Sequence, residues 1–158
     1  MGNAEESVLL TKLAESVEKK LKNKGYILSF DPGESTGIVI TCGNRLVEGY
    51  THDYQTVKEL IHKLITPAYS WVICEEFITY PVQAGRSGFN KVIPARVIGA
   101  IEAVSYHKNI PVVFQTANEG KHFFRDDIMR VVCPWFENLS TRHERDAARH
   151  LYTWAYKN

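Results

Sequence analysis

An apolar run that ends on a carboxylate, Tyr26-Ile27-Leu28-Ser29-Phe30-Asp31, constrains this chain more than any other stretch. It reads as a buried strand. Pro32 and Gly33 make a turn, and Thr36-Gly37-Ile38-Val39-Ile40 begins a second apolar run that pairs back as a hairpin. A carboxylate at the end of a central strand is expensive to bury and needs a partner. A divalent metal is one such partner, and a glycine-lined turn lets a phosphate approach the backbone closely. The structural alternative is an Asp that only starts an Asx-type turn.

The rest of the chain follows an α/β order. Residues 4–24 carry Leu9 or Leu10, Leu13, Val17 and Leu21 at helical spacing, and Gly25 stops that helix. Its apolar stripe must pack on its own domain or on a partner subunit. Leu46 to Thr51 reads as a third strand, and Thr56 to Ile65 as an amphipathic helix with Thr56 and Glu59 at capping-box spacing. Trp71 to Cys74 is an apolar strand running into Glu75 and Glu76, expected parallel to the first strand. Asp31 and Glu75 then emerge at the same end of neighbouring strands, and strand alternation turns Glu76 to the other face. Residues 80–90 read as an exposed loop, and a helix from about Ile93 to His107 is expected to use Ala95, Gly99, Ala100 and Ala103 for close packing on the sheet. Ile110 to Gln115 is a fifth strand, 117–122 a polar connection, and Asp126 to Val132 a helix closed by Pro134. The final helix starts near Arg142, with Ala147, Ala148, Leu151, Trp154 and Ala155 turned to the core.

At 158 residues the chain is long enough for one well-buried domain. No apolar run approaches the ~20 residues of a membrane span, and no signal-peptide pattern is read ahead of the first helix. The three cysteines, Cys42, Cys74 and Cys133, include no Cys-x-x-Cys pair and read as reduced thiols, so the expected compartment is cytoplasmic. Net charge is only +1, but it is unevenly spread. Residues 25–80 hold seven acids and three Lys or Arg, whereas residues 81–158 hold eleven Lys or Arg and seven acids. An acidic pocket beside a basic rim suits a metal site beneath a polyanion.

The deciding stretch is Thr141-Arg142-His143-Glu144-Arg145-Asp146-Ala147-Ala148-Arg149. Thr141 and Glu144 have capping-box spacing, which gives Glu144 a structural task. His143 and Asp146 share a face in the first turns, where the helix N-terminus favours negative charge. Arg142, Arg145 and Arg149 lie on the same helix, available to a DNA backbone. Two strand-end acids with a His/Asp pair form an oxygen-rich set suited to magnesium or manganese.

Taken together, Asp31-Pro32-Gly33 with Thr36-Gly37, Ile73-Cys74-Glu75, and His143-x-x-Asp146-Ala147-Ala148 resemble the RuvC family of Holliday-junction resolvases, within the RNase H-like superfamily. The likeness is closest to the short versions that phages encode, and it covers roughly residues 25–156. It implies an RNase H-like fold: a five-stranded mixed sheet flanked by helices, with residues 1–24 as an added N-terminal amphipathic helix and 25–158 as the nuclease domain. It further implies that Asp31 bridges two Mg²⁺ or Mn²⁺ ions and that Glu75 and Asp146 bind one each. His143 would complete the set or help handle protons, and Lys121 would stand as the basic active-site residue. Arg86, Arg96, Lys121, Arg125 and Arg145 are the expected DNA-backbone contacts. The implied substrate is branched DNA, foremost four-way junctions, cut by a homodimer in the cytoplasm, or in the host cytoplasm for a phage-encoded protein. An aromatic residue just after the catalytic Glu would open the junction; Phe77 and Tyr80 are near that place, which Ile78 occupies. Three other readings are an actin-like ATPase or sugar kinase, which needs two such domains, a non-cutting RNase H-like binding or scaffold module, and a nuclease on RNA or other branched DNA.

Overall fold

The computed structural model describes residues 2–77 and 92–158. In chain order the elements are α1 (Gly2–Leu21), β1 (Tyr26–Asp31), β2 (Ser35–Cys42), β3 (Arg45–Asp53), α2 (Tyr54–Leu64), β4 (Tyr69–Glu76), α3 (Val92–His107), β5 (Val112–Thr116), α4 (Ala117–Phe123), α5 (Asp126–Val132), a 3₁₀ turn (Phe136–Asn138) and α6 (Arg142–Lys157). The five strands form one mixed sheet in the order β3-β2-β1-β4-β5. β1, β2 and β3 are antiparallel neighbours, while β4 lies parallel to β1 and β5 parallel to β4.

The period-two alternation of β1 divides the core between the two faces of the sheet. Ile27 lies on one face with Val39 and Ile73, packed beneath α1, α5 and α6. Leu28 and Phe30 lie on the other with Ile38, Ile40, Val72 and Cys74, beneath α2 and α3. Because β1 is central and covered on both sides, every residue from Ile27 to Asp31 is buried. Ser29 and Asp31 therefore point to the α6 face, where the Ser29 hydroxyl donates to the Ala147 carbonyl at 2.7 Å.

Val17 and Leu21 of α1 are fully buried in the α6-side core, so this helix packs on its own domain, while Val8 and Leu9 stay exposed. Three local expectations change. The cap of α2 is Asp53, whose carboxylate accepts from the Thr56 N–H at 2.8 Å, so Thr56 sits inside the helix and no Thr56–Glu59 box forms. Residues 117–122 are helical because Glu119 accepts from the Thr116 N–H at 2.7 Å and caps a short turn. In α3 the sheet-facing residues are Pro94, Val97, Ile101 and Ser105; Ala95, Gly99 and Ala103 face solvent. The small residues lay on the wrong side of a helix that is apolar nearly all round. Among the described residues no helix is long and apolar enough to cross a membrane.

Candidate active site

The parallel pairing of β1 and β4 matches Phe30 with Cys74, which carries Asp31 and Glu75 out one step further at the same sheet end. Both are on the α6 face. On the other side of Asp31, the antiparallel register places Gly37 of β2. That position has no room for a side chain: a methyl group on Gly37 would overlap the His143 carbonyl and come within 2.7 Å of the Glu144 nitrogen. Gly37 is thus the seat of the α6 N-terminus, and its lack of a Cβ lets the first turn of α6 rest on the sheet beside Asp31. The capping residues fix that turn. Thr141 Oγ1 accepts from the Glu144 N–H, and the buried Glu144 carboxylate accepts from the Ser140 N–H at 2.8 Å and the Thr51 hydroxyl at 3.1 Å.

With α6 seated there, His143 Nδ1 lies 3.0 Å from Asp31 Oδ2. The His143 side chain is 44% exposed, and its other nitrogen is not taken up by Asp31. One turn on, Asp146 is 5% exposed and is paired with Arg149, with Arg142 Nε at 3.7 Å from its second oxygen. Two turns on, His150 joins the same cluster, with Nε2 at 2.8 Å from Glu75 Oε2. Donor atoms of Asp31, Glu75 and His150 all lie within 4.8 Å of one another.

The electrostatics describe a cluster with surplus negative charge. Burial, then the neighbouring Glu75 charge, push Asp31 up from 3.8 to about 6, with Asp146 adding to the rise and the His143 hydrogen bond opposing it. Burial also raises Glu75, but the hydrogen bond from His150, the charge of that ring when protonated and the Lys121 ammonium outweigh it and hold the carboxyl below its usual range. Asp146 is raised by burial against the pull of Lys121 and Arg142. Asp31 and Glu75, with donor atoms within 4.8 Å of one another, are thus electrostatically coupled, the Glu75 charge raising the Asp31 carboxyl. Two buried carboxylates that repel one another, and so raise Asp31, are what a hard divalent cation relieves, and the donor set fits such an ion.

The folded Asp31 binds its proton more tightly than the unfolded chain does, so this protonation favours the fold fully below about pH 3.8 and ceases to do so above about pH 6. The span is worth roughly 3 kcal/mol. In chelator, Asp31→Asn is therefore expected to melt several degrees above the native chain at pH 7, and the gap should close at pH 4. Scanning calorimetry of both proteins across that range measures it.

Beside the acids lies a basic cleft of about 510 Å³, lined by Lys121, Arg125, Arg142, Arg145 and Arg149 with Asp126 and Asp146. Lys121, Arg125 and Arg145, three of the five expected DNA contacts, share this cleft. Arg96 is exposed on α3, the layer covering the opposite sheet face, and Arg86 lies outside the described residues. Arg149 is turned inward, 11% exposed, and pairs with both Asp146 and Asp126. That corrects its expected DNA-facing position: on α6 it falls one residue from His150 on the buried side. Phe77 is partly exposed after β4, and Ile78 and Tyr80 lie outside the described residues.

His150 and Gln115 escaped the sequence reading. The signal was present for His150, which stands seven residues after His143 and four after Asp146 and so shares their helical face.

The sheet order, the strand-end acids and the final helix define an RNase H-like fold of the RuvC type. Comparison with solved structures bears out the fold. The chain superposes on T. thermophilus RuvC in complex with a Holliday junction substrate with a TM-score of 0.60 at 16% identity, covering 84% of this chain and 93% of that one. A second Thermus thermophilus RuvC structure gives 0.54, again at 16% identity, over 83% and 93%. No protein-family model matches the chain, and no curated relative does.

Proposed function

We propose that this protein is a divalent-cation-dependent endonuclease that cuts branched DNA, with four-way junctions as its principal substrate. The observation that supports the reading is the grouping of Asp31 and Glu75 at one sheet end, with His143 on Asp31 and Asp146 one turn further along the same helix, on a RuvC-type fold beside a cleft with five basic side chains. Asp31, Glu75, Asp146 and His143 are the residues that would hold a pair of Mg²⁺ or Mn²⁺ ions, which would supply an activated water and stabilisation of the leaving oxygen in phosphodiester hydrolysis. The chain's own groups divide the remaining work. His143, hydrogen-bonded to Asp31 through Nδ1, has its second nitrogen left either for a cation or, in place of that, for a proton. Lys121, Arg125, Arg142 and Arg145 orient the phosphates on either side of the scissile bond.

Symmetric nicks across a junction need two such sites related by a two-fold axis, hence a homodimer. Residues 25–158 carry the nuclease unit, and α1 buttresses it. The fold of the neighbouring RuvC complex, which holds a Holliday junction substrate, supports branched DNA as the ligand class.

The test is a panel of synthetic four-way, three-way and flap DNAs, linear duplex and RNA, each with Mg²⁺ or with chelator. Cation-dependent nicking of the four-way junction above all others is expected. Tight junction binding with no cleavage at any cation concentration would instead identify a non-cutting module. Arg125, exposed and paired among the described residues with the exposed Asp127, offers a clean probe of the cleft. Arg125→Ala should leave the melting temperature within about a degree and reduce the salt dependence of junction binding by about one phosphate contact. Fluorescence anisotropy across a salt series reads that slope.

A further inference from the structure

The mutual approach of His150 and Glu75 raises the question of what the histidine does there. His150 is 1% exposed, on the α6 face that also bears His143 and Asp146. Its Nε2 meets Glu75 Oε2 at 2.8 Å, and its Nδ1 meets the Gln115 side-chain amide at 3.2 Å. Gln115 is itself buried, and β5 pairs it directly with Glu75 of β4.

The orientation of that amide decides the chemistry of the ring. With its NH₂ toward α6, Gln115 donates to His150 Nδ1 at 3.2 Å and to the His150 carbonyl at 3.1 Å. Its oxygen then accepts from the Trp154 N–H at 3.1 Å. Every polar group is satisfied in this arrangement; in the opposite one the amide oxygen faces only acceptors and its nitrogen only donors. A neutral imidazole has one donor and one acceptor nitrogen. Since Nδ1 accepts from Gln115, the ring proton sits on Nε2 and is donated to Glu75.

We infer that His150 is a positioning residue for the metal-binding carboxylate of Glu75, held in its Nε2–H tautomer by Gln115, and is not itself a cation ligand. The inference rests on the proposed function for its metal, but the Gln115–His150–Glu75 chain stands on geometry alone. The carboxylate has two oxygens. His150 occupies Oε2, which leaves Oε1 with its lone pairs for a cation, and it fixes the plane of the group. A ligating carboxylate is commonly oriented by such an outer hydrogen bond, and losing one costs about 10–100-fold in metal affinity. A ring already donating through Nε2, with Nδ1 occupied by Gln115, offers no free lone pair to a metal.

Two measurements test this. Nitrogen-15 NMR of the full chain with labelled histidine, in chelator and then with saturating Mg²⁺, should show one histidine with a protonated Nε2 and an unprotonated Nδ1 under both conditions. A shift of that Nε2 to the unprotonated form on adding Mg²⁺ would make His150 a direct ligand and overturn the inference.

The second is calorimetric titration of metal-free protein with Mn²⁺. His150→Leu keeps an apolar body and removes the donor, and should weaken binding by about 10–100-fold. His150→Gln places an amide N–H where Nε2 stood, and should recover most of the loss. Asp31→Asn is the control. If Asp31→Asn abolishes binding while His150→Leu binds as the native chain does, the positioning role fails and the metal site survives. If the native chain itself binds no Mn²⁺, the proposed function fails, and the NMR tautomer still decides whether His150 is fixed on Glu75. Should His150→Leu not fold, the NMR result on the native chain stands as the test.

Discussion

Replacing Asp31 with Asn is expected to lower cation-dependent cleavage of a four-way junction by roughly 10³-fold or more while leaving junction affinity in chelator unchanged. Asp31 is the residue on which the cluster closes: it contacts His143, faces Glu75 and feels the charge of Asp146. Charge stabilisation by bound cations is worth several kcal/mol, and each ~1.4 kcal/mol is a factor of ten in rate. Asn keeps the shape and an acceptor for His143 but loses the negative charge. The basic cleft is untouched by the change, so DNA binding without metal should persist. Single-turnover cleavage and anisotropy on the same preparation separate the two effects. Cleavage at the native rate by this variant would remove Asp31 from the site.

The second large effect is structural. Gly37→Ala should destabilise the protein by about 3 kcal/mol or more, because the new methyl meets backbone atoms of His143 and Glu144 rather than a side chain that can rotate away. The only relief is to lift the start of α6 off β2. That would separate His143 from Asp31, so the folded fraction should also lose cation-dependent cleavage. Gly99 provides the contrast. It lies on the exposed side of α3, where an added methyl would meet nothing within 4 Å among the described residues, and Gly99→Ala should stabilise by about 0.5–1 kcal/mol. Urea denaturation of both variants gives the comparison. A neutral Gly37→Ala would contradict the close seating of α6.

These two positions also show how much was legible beforehand. The β1–β2 hairpin, the parallel placement of β4 and the inward face of α6 could be read from apolar runs and helical spacing, because burial of a central strand on both faces leaves a continuous apolar run. Asp31 and Glu75 could be placed at one sheet end for the same reason. That His143 meets Asp31 could not be derived from spacing, since it depends on the missing Cβ at Gly37, a contact between positions more than a hundred residues apart. The resemblance to RuvC pointed to His143 and Asp146 as members of the set, and the structure brings His143 within hydrogen-bond reach of Asp31.

What was misread follows a pattern. In α3, nearly every position is apolar or small, so periodicity carried little information and the sheet-facing side was assigned to Ala95, Gly99 and Ala103. At the start of α2, Asp53 and Thr56 are both plausible caps; the chain leaves β3 at Asp53, and that exit decides the matter. His150 and Arg149 were missed or misplaced because their roles come from partners on other elements. Glu75 and Gln115 lie on β4 and β5, and Asp126 opens α5. A single helix read alone cannot announce them.

The central claim is that Asp31, Glu75, His143 and Asp146 together bind divalent cations. Crystals of the native chain grown with Mn²⁺ and measured at the manganese absorption edge test it most directly. The account expects anomalous peaks between Asp31 and Glu75 and against Asp146, lost in Asp31→Asn. Well-ordered carboxylates with no anomalous signal between them at saturating Mn²⁺ would contradict it.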